Sequence, residues 1–322
     1  MFIFAKYSKG FVPCLVITCC TAFTAFGQNN QSALIIDTGS RAAVFAPGVV
    51  SSPFDEAAAT FTPDGNTVYF YQGTIYLAVC FSKKENGKWG IPVVVSFSGR
   101  WSDWDPFLSP DGKRIFFVSN RPLTDSDQNK PQRKSHIWYA NKLSGDSWSA
   151  PEYINEPFNL DGIGNYAPSV SNLGTLCFYS PARDKTVGKS YYTKWLGDRY
   201  SEIKELTLNG ANEVGDPLIA PDESYIIFVS GNDLYISYRN GDSWTTGQKL
   251  GPQVNDGNAN FDPTVSPDGK TLYYSSARVK GFYKRDQTKS LNYTELQAEM
   301  NSIFNGRSNI LMIPISLSNL NH

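Results

Sequence analysis

Asp105–Lys113 reads DPFLSPDGK, and the same pattern returns as DPTVSPDGK at Asp262–Lys270. Weaker copies read ATFTPDG at 59–65, APSVSNLG at 167–174 and DPLIAPDE at 216–223. The first turn residues of the five copies stand at positions 63, 110, 172, 221 and 267, which are 47, 62, 49 and 46 residues apart. A repeat of about 45 residues is typical of the blades of a β-propeller.

Each copy carries the chemistry of a hairpin turn. Pro presets the backbone of the first turn residue, Asp suits the second, and Gly accepts the left-handed conformation. An apolar run follows each turn, as at Ile115–Val118 and Tyr225–Phe228, which is expected of a strand buried between stacked sheets. A third run follows, as at Ile75–Ala78 in the first unit and Ile137–Ala140 in the second. A Gly-rich turn ending in an aromatic residue, such as Gly145–Trp148, completes the unit. We therefore predict an all-β chain of about five four-stranded blades.

The last copy has no fourth strand of its own after Ile313. Arg41–Pro47 resembles Trp148–Ile154, a fourth-strand segment, and is predicted to close the ring so that no sheet edge stays exposed. A sixth blade is the alternative, if Leu34–Ile36 belongs to one. An insertion at about 284–306 carries apolar residues near helical spacing, which predicts a short helix in the last blade.

The N-terminus reads as a secretion signal over residues 1–27, with Lys6 and Lys9 before an apolar stretch and cleavage expected between Gly27 and Gln28. This predicts a periplasmic or secreted protein with a single propeller domain over residues 28–322. The apolar stretch is too short, and too interrupted by Thr and Cys, to be a membrane span. A lipid anchor on one of two adjacent cysteines is the alternative, although neither follows a small residue. These cysteines are Cys19 and Cys20.

Composition removes several classes of function. The 29 Lys and Arg residues are balanced by 30 Asp and Glu residues, so no basic surplus points to nucleic acid. His136 and His322 are the two histidines of the chain, which argues against a His-based metal site or catalytic triad. We expect no cofactor and a monomer. Cys80 and Cys177 are expected to be buried thiols, with a disulfide as the alternative.

Three copies end in a Ser and Arg tail, at Ser119–Arg121, Ser180–Arg183 and Ser275–Arg278. With the Asp-Pro and Ser-Pro-Asp-Gly-Lys motifs, these tails make residues 50–280 resemble the TolB-type β-propeller family of exported, WD-like repeats. That family includes periplasmic assembly partners, sensor and peptidoglycan-associated domains, propellers attached to peptidases, and some polysaccharide lyases. The resemblance thus implies a fold and an exported location, but no single function.

This chain departs from the enzymes of that family. No Gly-x-Ser-x-Gly nucleophile motif occurs, and the length leaves no room for a peptidase domain. The metal-binding histidine cluster of the lyase relatives is also missing, because the chain has two histidines.

A ligand site is predicted on the face opposite the Pro-Asp-Gly turns, where loops enter the first strands and leave the second strands. Aromatic rings can stack on sugars there, amides and acids can bind hydroxyls, and Arg can bind a carboxylate. The candidates are Trp101, Asp103, Trp104, Arg121, Tyr166, Arg183, Asn260, Phe261 and Arg278. Those outside the repeat consensus, namely Trp101, Asp103, Trp104 and Tyr166, are the stronger ones.

The repeated Asp105, Asp216 and Asp262 are instead assigned to the scaffold, as acceptors of backbone amides between blades, and the Arg tails to ion pairs with neighbouring blades. Two function classes follow. The favoured one is a non-catalytic propeller that binds a protein or glycan of the cell envelope or the environment through the channel-mouth face. The alternative is a glycan-active enzyme, a lyase or a glycoside hydrolase, that uses loop carboxylates. The carboxylates considered are Asp55, Glu56, Asp103 and Glu213.

Overall fold

The computed structural model describes residues 32–123, 130–155, 157–160, 162–181, 183, 188–211, 213–277 and 287–319. Within these residues the chain forms six antiparallel sheets, five of four or five strands and one of two strands, and one short helix. The predicted secretion signal lies outside the described residues. No helix among the described residues is long and apolar enough to cross a membrane.

The first described strands are β1 (Ser32–Ile35) and β2 (Ala43–Val44). Blade 1 contains β3 (Asp55–Phe61), β4 (Thr67–Gly73), β5 (Leu77–Glu85), β6 (Lys88–Trp89) and β7 (Val93–Val94). Blade 2 contains β8 (Asp103–Leu108), β9 (Arg114–Ser119), β10 (His136–Asn141) and β11 (Glu152–Tyr153). Blade 3 contains β12 (Tyr166–Val170), β13 (Thr175–Ser180), β14 (Lys189–Lys194) and β15 (Lys204–Glu205).

Blade 4 contains β16 (Gly215–Ile219), β17 (Tyr225–Ser230), β18 (Asp233–Asn240), β19 (Ser243–Trp244) and β20 (Gln248–Lys249). Blade 5 contains β21 (Ala259–Val265), β22 (Thr271–Ala277) and β23 (Asn309–Pro314), and the last described strand is β24 (Ser316–Asn319). We call the side where each first strand begins the entry face, and the side of the Pro-Asp-Gly turns the turn face.

The second strand of each blade is buried on both sides, which explains its unbroken apolar sequence. In β9, Ile115 and Phe117 pack towards Tyr69 of blade 1, whereas Phe116 and Val118 pack towards blade 3. The same alternation produces one apolar cluster at each of the five junctions between blades. These clusters hold neighbouring blades together, as the repeat pattern predicts.

The ring is closed by the N-terminal segment, because β2 pairs with β23 through Ala43–Met312 and Val44–Leu311. The prediction of five blades closed by an N-terminal strand is thereby confirmed. The segment that could have belonged to a sixth blade instead forms β1, which pairs with β24 in a separate two-stranded sheet. Leu34 of β1 packs on the apolar cluster between blades 4 and 5, and its amide donates to the Tyr238 hydroxyl at 2.8 Å.

The first strand of every blade contains a β-bulge, where its pairing with the second strand shifts. The residue in the bulge has a left-handed backbone. These residues are Ala58, Asp105, Ala167, Asp216 and Asp262, with φ of 54°, 46°, 47°, 40° and 45°. Such angles are unfavourable for residues with a side chain, so their recurrence in all five blades shows that the propeller imposes them. The bulge brings these five side chains to the central channel.

Some sequence-derived details need correction. Ile75 and Tyr76 were expected in the third strand of blade 1, but β5 begins at Leu77 and both side chains are exposed in the preceding loop. The predicted helix is present as α1 (Tyr293–Met300), started by an Asn292 capping box, yet none of its residues is buried. Cys80 and Cys177 are free, buried thiols, as predicted.

Candidate functional site

Three carboxylates face the central channel at the level of the bulges. Asp105, Asp216 and Asp262 come from blades 2, 4 and 5, and the equivalent positions of blades 1 and 3 hold Ala58 and Ala167. The cavity between them has a volume of about 30 Å³, which is about the share of one water molecule in the liquid. The carboxyl groups therefore enclose a space that has little room for water.

Two of these aspartates link neighbouring blades. The Ala167 amide of blade 3 donates to Asp105 at 3.0 Å, and the Asp262 amide of blade 5 donates to Asp216 at 3.3 Å. The prediction that the repeated aspartates accept backbone amides between blades is confirmed for this pair. For Asp262 the equivalent donor is the amide of Ala58, which donates instead to the Ser275 hydroxyl at 3.1 Å.

The three axial carboxyl groups share a poorly solvated space, and all three have raised pKa values. Burial, together with the charge of Asp216, raises the pKa of Asp105 to about 7, although the Ala167 amide opposes the shift. Burial first, and then the charges of Asp105 and Asp216, raise the pKa of Asp262 well above its ordinary value. Burial also raises the pKa of Asp216. Close carboxylates cannot all ionise freely, so these groups hold their protons at higher pH than ordinary aspartates do.

Tyrosine hydroxyls lie near the axial carboxylates. Burial, and then Asp262 and Asp105, raise the pKa of Tyr71 well above its usual range. Burial and Asp105 raise the pKa of Tyr166. Sequence analysis did not select Tyr71, because it stands in a second strand that reads as core. Tyr71 pairs across the sheet with the small Ala57. This pairing of a tyrosine with a small residue is the feature that could have marked Tyr71 as a candidate.

Asp103 and Arg121 bind each other. The Arg121 Nη2 atom lies 2.7 Å from Asp103 Oδ1, and both side chains are buried. Ser98 donates a second hydrogen bond to Asp103 at 2.7 Å, and the guanidinium lies 4.8 Å from the Phe117 ring centroid. Removal of one partner from a buried ion pair leaves an uncompensated charge, so both groups are needed in place within the fold. We therefore place this pair in the scaffold of blade 2, where it is out of reach of a ligand.

The predicted aromatic residues are half-buried near the entry face. Trp104 in β8 and Tyr166 in β12 stack with ring centroids 6.3 Å apart, and both pack on the cluster between blades 2 and 3. Trp101 precedes β8, with the Arg100 guanidinium 5.4 Å from its ring. Phe261 precedes the bulge of blade 5 by one residue, as Trp104 does in blade 2. All four side chains are partly exposed, so a ligand could reach them. That they contact a ligand stays a prediction.

The remaining predicted site residues are Asn260, Arg183 and Arg278. Asn260 is buried, and its side-chain amide donates to the Val254 carbonyl at 3.1 Å. The Arg183 guanidinium donates to the carbonyls of Phe158 and Pro157, so this Arg tail binds backbone and forms no ion pair with an acid among the described residues. Arg278 lies outside the described residues.

The loop carboxylates considered for catalysis do not converge on one point. Glu56 is buried and accepts hydrogen bonds from Ser52 and Gln72. Asp55 pairs with Arg307 at 2.6 Å, and Glu213 is exposed and accepts from a tyrosine hydroxyl. The acids that do converge are the repeated axial ones. Among the described residues, no group of three or more His, Cys, Asp or Glu side chains is placed to hold a metal ion.

Exposed apolar side chains collect on the entry face over blades 1 and 5. Ile75 and Tyr76, in the loop between β4 and β5, are 87% and 77% exposed. The insertion that contains α1 is attached beside them, because Asn305 donates to the Pro53 carbonyl and Arg307 pairs with Asp55. We define the apolar rim as Phe54, Ile75, Tyr76, Tyr293, Leu296 and Met300, all of them exposed.

The turn-face end of the channel is different. A cavity of about 250 Å³ opens there, lined by apolar side chains of the first strands and by turn prolines. No charged side chain lines it among the described residues. The two ends of the channel therefore offer different chemistry, with acids below the entry face and carbon surface at the turn face.

Known structures support this architecture. An α-L-arabinofuranosidase from Lactobacillus brevis superimposes with a TM-score of 0.50 at 14% identity, over 84% of this chain and 94% of that protein. A thermostable family-43 glycoside hydrolase gives a TM-score of 0.50 at 11% identity, over 72% of this chain and 86% of that enzyme. The chain is a five-bladed β-propeller. At such identities the likeness shows the fold and not the activity.

TolB from Acinetobacter baumannii is also similar in structure, with a TM-score of 0.45 and 15% identity over 82% of this chain. This chain spans 56% of the length of that protein. No protein-family model matches the sequence, and no curated protein matches it. Membership of the TolB-type family stays a prediction from the repeat motif.

Proposed function

We propose that this chain is an exported, non-catalytic binding propeller that docks a protein partner through its entry face. The apolar rim carries this proposal. Soluble monomers rarely expose large neighbouring apolar side chains, and exposed apolar patches are typical of interaction sites. Here Ile75, Tyr76 and Tyr293 are each more than 70% exposed, and strand register and hydrogen bonds hold their loops on one face.

Charge on this face argues against the strongly acidic partner that the arginine residues suggested. Arg121 is neutralised by Asp103, and Arg183 is engaged by backbone carbonyls. The groups nearest the channel axis are acidic instead. We therefore infer a partner segment with apolar and neutral or basic side chains. The half-buried Trp104 and Tyr166 are proposed to contact it beside the channel.

Site-specific photo-crosslinking tests this function. A photoreactive amino acid at Tyr76 should give a discrete crosslinked product in the native host, while the same group at Leu143, an exposed apolar residue on the turn face, should not. The crosslinked protein is then purified and titrated against the propeller. The variant Ile75→Ser/Tyr293→Ser should weaken that binding at least about tenfold, which is 1.4 kcal/mol. Equal binding by this variant, or equal crosslinking from both positions, would refute the docking face.

One observation favours a second candidate function. A carboxyl group with a pKa of about 7, close to two other acids, can act as a general acid near neutral pH. This candidate is a glycan-active enzyme that uses Asp105 with Asp216 or Asp262. The small cavity at these groups argues against it, because a sugar ring is larger than one water molecule.

A polysaccharide panel discriminates between the two functions. Release of reducing ends or unsaturated uronates by the wild-type protein, abolished in Asp105→Asn, would favour the enzyme. Absence of release, together with entry-face crosslinking, supports the binding function.

A further inference from the structure

In blades 1 to 4 the outer hairpin carries an aromatic residue that packs towards the preceding blade, so an aromatic residue borders four of the five grooves between blades. These residues are Trp89, Trp148, Tyr200 and Trp244. Between blades 1 and 2 the groove is filled by Trp148, which is buried and packs edge-on against Tyr69 at 5.7 Å. Between blades 4 and 5, Leu34 of β1 and Leu317 of β24 pack on the junction. The groove between blades 3 and 4 is open, with a cavity of about 400 Å³.

A strained turn residue borders this open groove. Glu223 stands where all four other turns have a glycine, and it shares their left-handed backbone with φ of 61°. These glycines are Gly65, Gly112, Gly174 and Gly269. A residue with a side chain is disfavoured in that conformation. Strain of this kind persists where surrounding contacts hold it, and it is often found at functional sites.

The side chain of Glu223 makes contacts that hold this residue in its left-handed backbone conformation. Its carboxylate accepts from the Ser171 hydroxyl of blade 3 at 2.7 Å and from Arg239 of blade 4 at 2.8 Å. The same guanidinium lies 4.1 Å from the ring centroid of Trp244, the outer-hairpin aromatic residue of blade 4. Glu223 thus links two blades and fixes the position of Arg239 over the indole. The groove is preorganised on this side.

The rest of the groove combines apolar and polar groups. Ile219, Ile226 and Leu206 are buried side chains that line it, and the half-buried Tyr192 adds a second aromatic ring. Lys194 and Asn209 are exposed groups of blade 3 that also line it. Charges of both signs are present, and Glu223 already neutralises Arg239. Such a lining does not select a strongly charged ligand.

We propose that the groove between blades 3 and 4 binds a neutral pyranose unit of a glycan. Aromatic rings offer an apolar surface to the C–H face of a sugar. Amide, ammonium and carboxylate groups together can bind hydroxyls, which both donate and accept. The cavity volume lies within the range of about 300 to 1,000 Å³ that small ligands occupy. This site is independent of the proposed docking of a protein on the entry face.

Saturation-transfer NMR on the full chain tests the site with four probes, namely the methyl glycosides of β-glucose, β-galactose, α-mannose and β-xylose. At least one should bind with a Kd of about 1 to 10 mM and receive transfer mainly at its ring C–H protons. Trp244→Ala should weaken that binding at least about tenfold. Glu223→Gly, which restores the glycine of the other turns and keeps Trp244, should weaken it by about threefold or more. This second variant keeps the test valid if Trp244→Ala does not fold.

Trp89→Ala is the matched control. Trp89 holds the corresponding position in the open groove between blades 5 and 1, where Lys84 lies 5.8 Å from its ring and the turn residue is Gly65. That groove lacks the Glu223 contacts, so this variant should bind the probe as the wild type does. Failure of all four probes to bind at about 10 mM would overturn the proposal. So would equal losses in Trp89→Ala and Trp244→Ala.

Discussion

Blades 2 and 5 carry the two most similar copies of the repeat, yet their surroundings differ. In blade 2, all four strands follow one another in the chain, from β8 to β11. In blade 5, the fourth strand is β2, which precedes its other strands by more than 200 residues. Both blades place an aspartate in the bulge, Asp105 or Asp262. The motif therefore determines the turn and the bulge, but not what completes the blade.

A second difference lies two residues before each bulge. Blade 2 has Asp103 there, neutralised by Arg121. Blade 5 has Asn260, paired across the sheet with Ser276 and then Asn309. The side-chain oxygens of these three residues have no hydrogen-bond partner among the described residues. Blade 2 thus has an ion pair at the position where blade 5 has uncharged side chains. The backbone and its bulge are the same in both blades, so this position accepts different side-chain contacts without a change of fold.

The largest expected effect comes from breaking the closure of blade 5. A chain that begins at Ser51 loses β2 together with Phe45 and Val50, which are buried between blades 5 and 1. Burial of one such side chain contributes about 1.5–3 kcal/mol, and the exposed edge of β23 would favour aggregation. We expect a loss of at least about 3 kcal/mol from these two side chains, measured by urea unfolding and size-exclusion chromatography. A chain that begins at Ser32 is the control, and an unchanged, monomeric Ser51 variant would contradict N-terminal closure.

The next effect comes from blade 2. Arg121→Met leaves the buried Asp103 carboxylate without its cation, which typically costs about 3–5 kcal/mol. The double variant Asp103→Asn/Arg121→Met gives blade 2 the neutral residue that blade 5 has in Asn260, and it should recover much of the loss. Urea unfolding of both variants checks this. A loss below about 1 kcal/mol in the single variant would return Arg121 to the set of ligand-binding candidates.

The contrast between these blades also shows what sequence can predict. The blades follow from local chemistry, because Pro-Asp-Gly turns and buried second strands each act within a few residues. The surroundings of the site residues do not follow from local chemistry. Asp103 and Asp105 are two residues apart in one strand, and still they face different surroundings. Only the bulge turns Asp105 to the channel, while Asp103 meets Arg121. The exposed Ile75 and Tyr76 were missed because an aromatic, apolar dipeptide reads as a strand.

The smallest effect tests the two bulge aspartates against each other. An acid whose pKa is higher in the folded than in the unfolded state stabilises the fold when protonated. Its contribution is complete below the unfolded pKa of about 3.9 and is lost as pH rises through the folded pKa. For Asp105 that window runs from about 4 to about 7. For Asp262 it extends upwards from about 4, because its pKa is raised well above the ordinary value.

Asp262→Asn should therefore raise the Tm at pH 8 by several degrees, since 1 kcal/mol corresponds to about 2–4 °C in a domain of this size. Near pH 4 the variant and the wild type should melt alike, because the wild-type carboxyl group is then protonated. Asp105→Asn should gain less, because the Ala167 amide already stabilises the Asp105 carboxylate, whereas the amide of Ala58 donates to Ser275 instead of Asp262. Thermal melts of both variants between pH 4 and pH 8 make the comparison. If Asp262→Asn lowers the Tm at pH 8, the Asp262 carboxyl group makes a net favourable contribution at that pH, and the unequal support of the two bulge aspartates would be wrong.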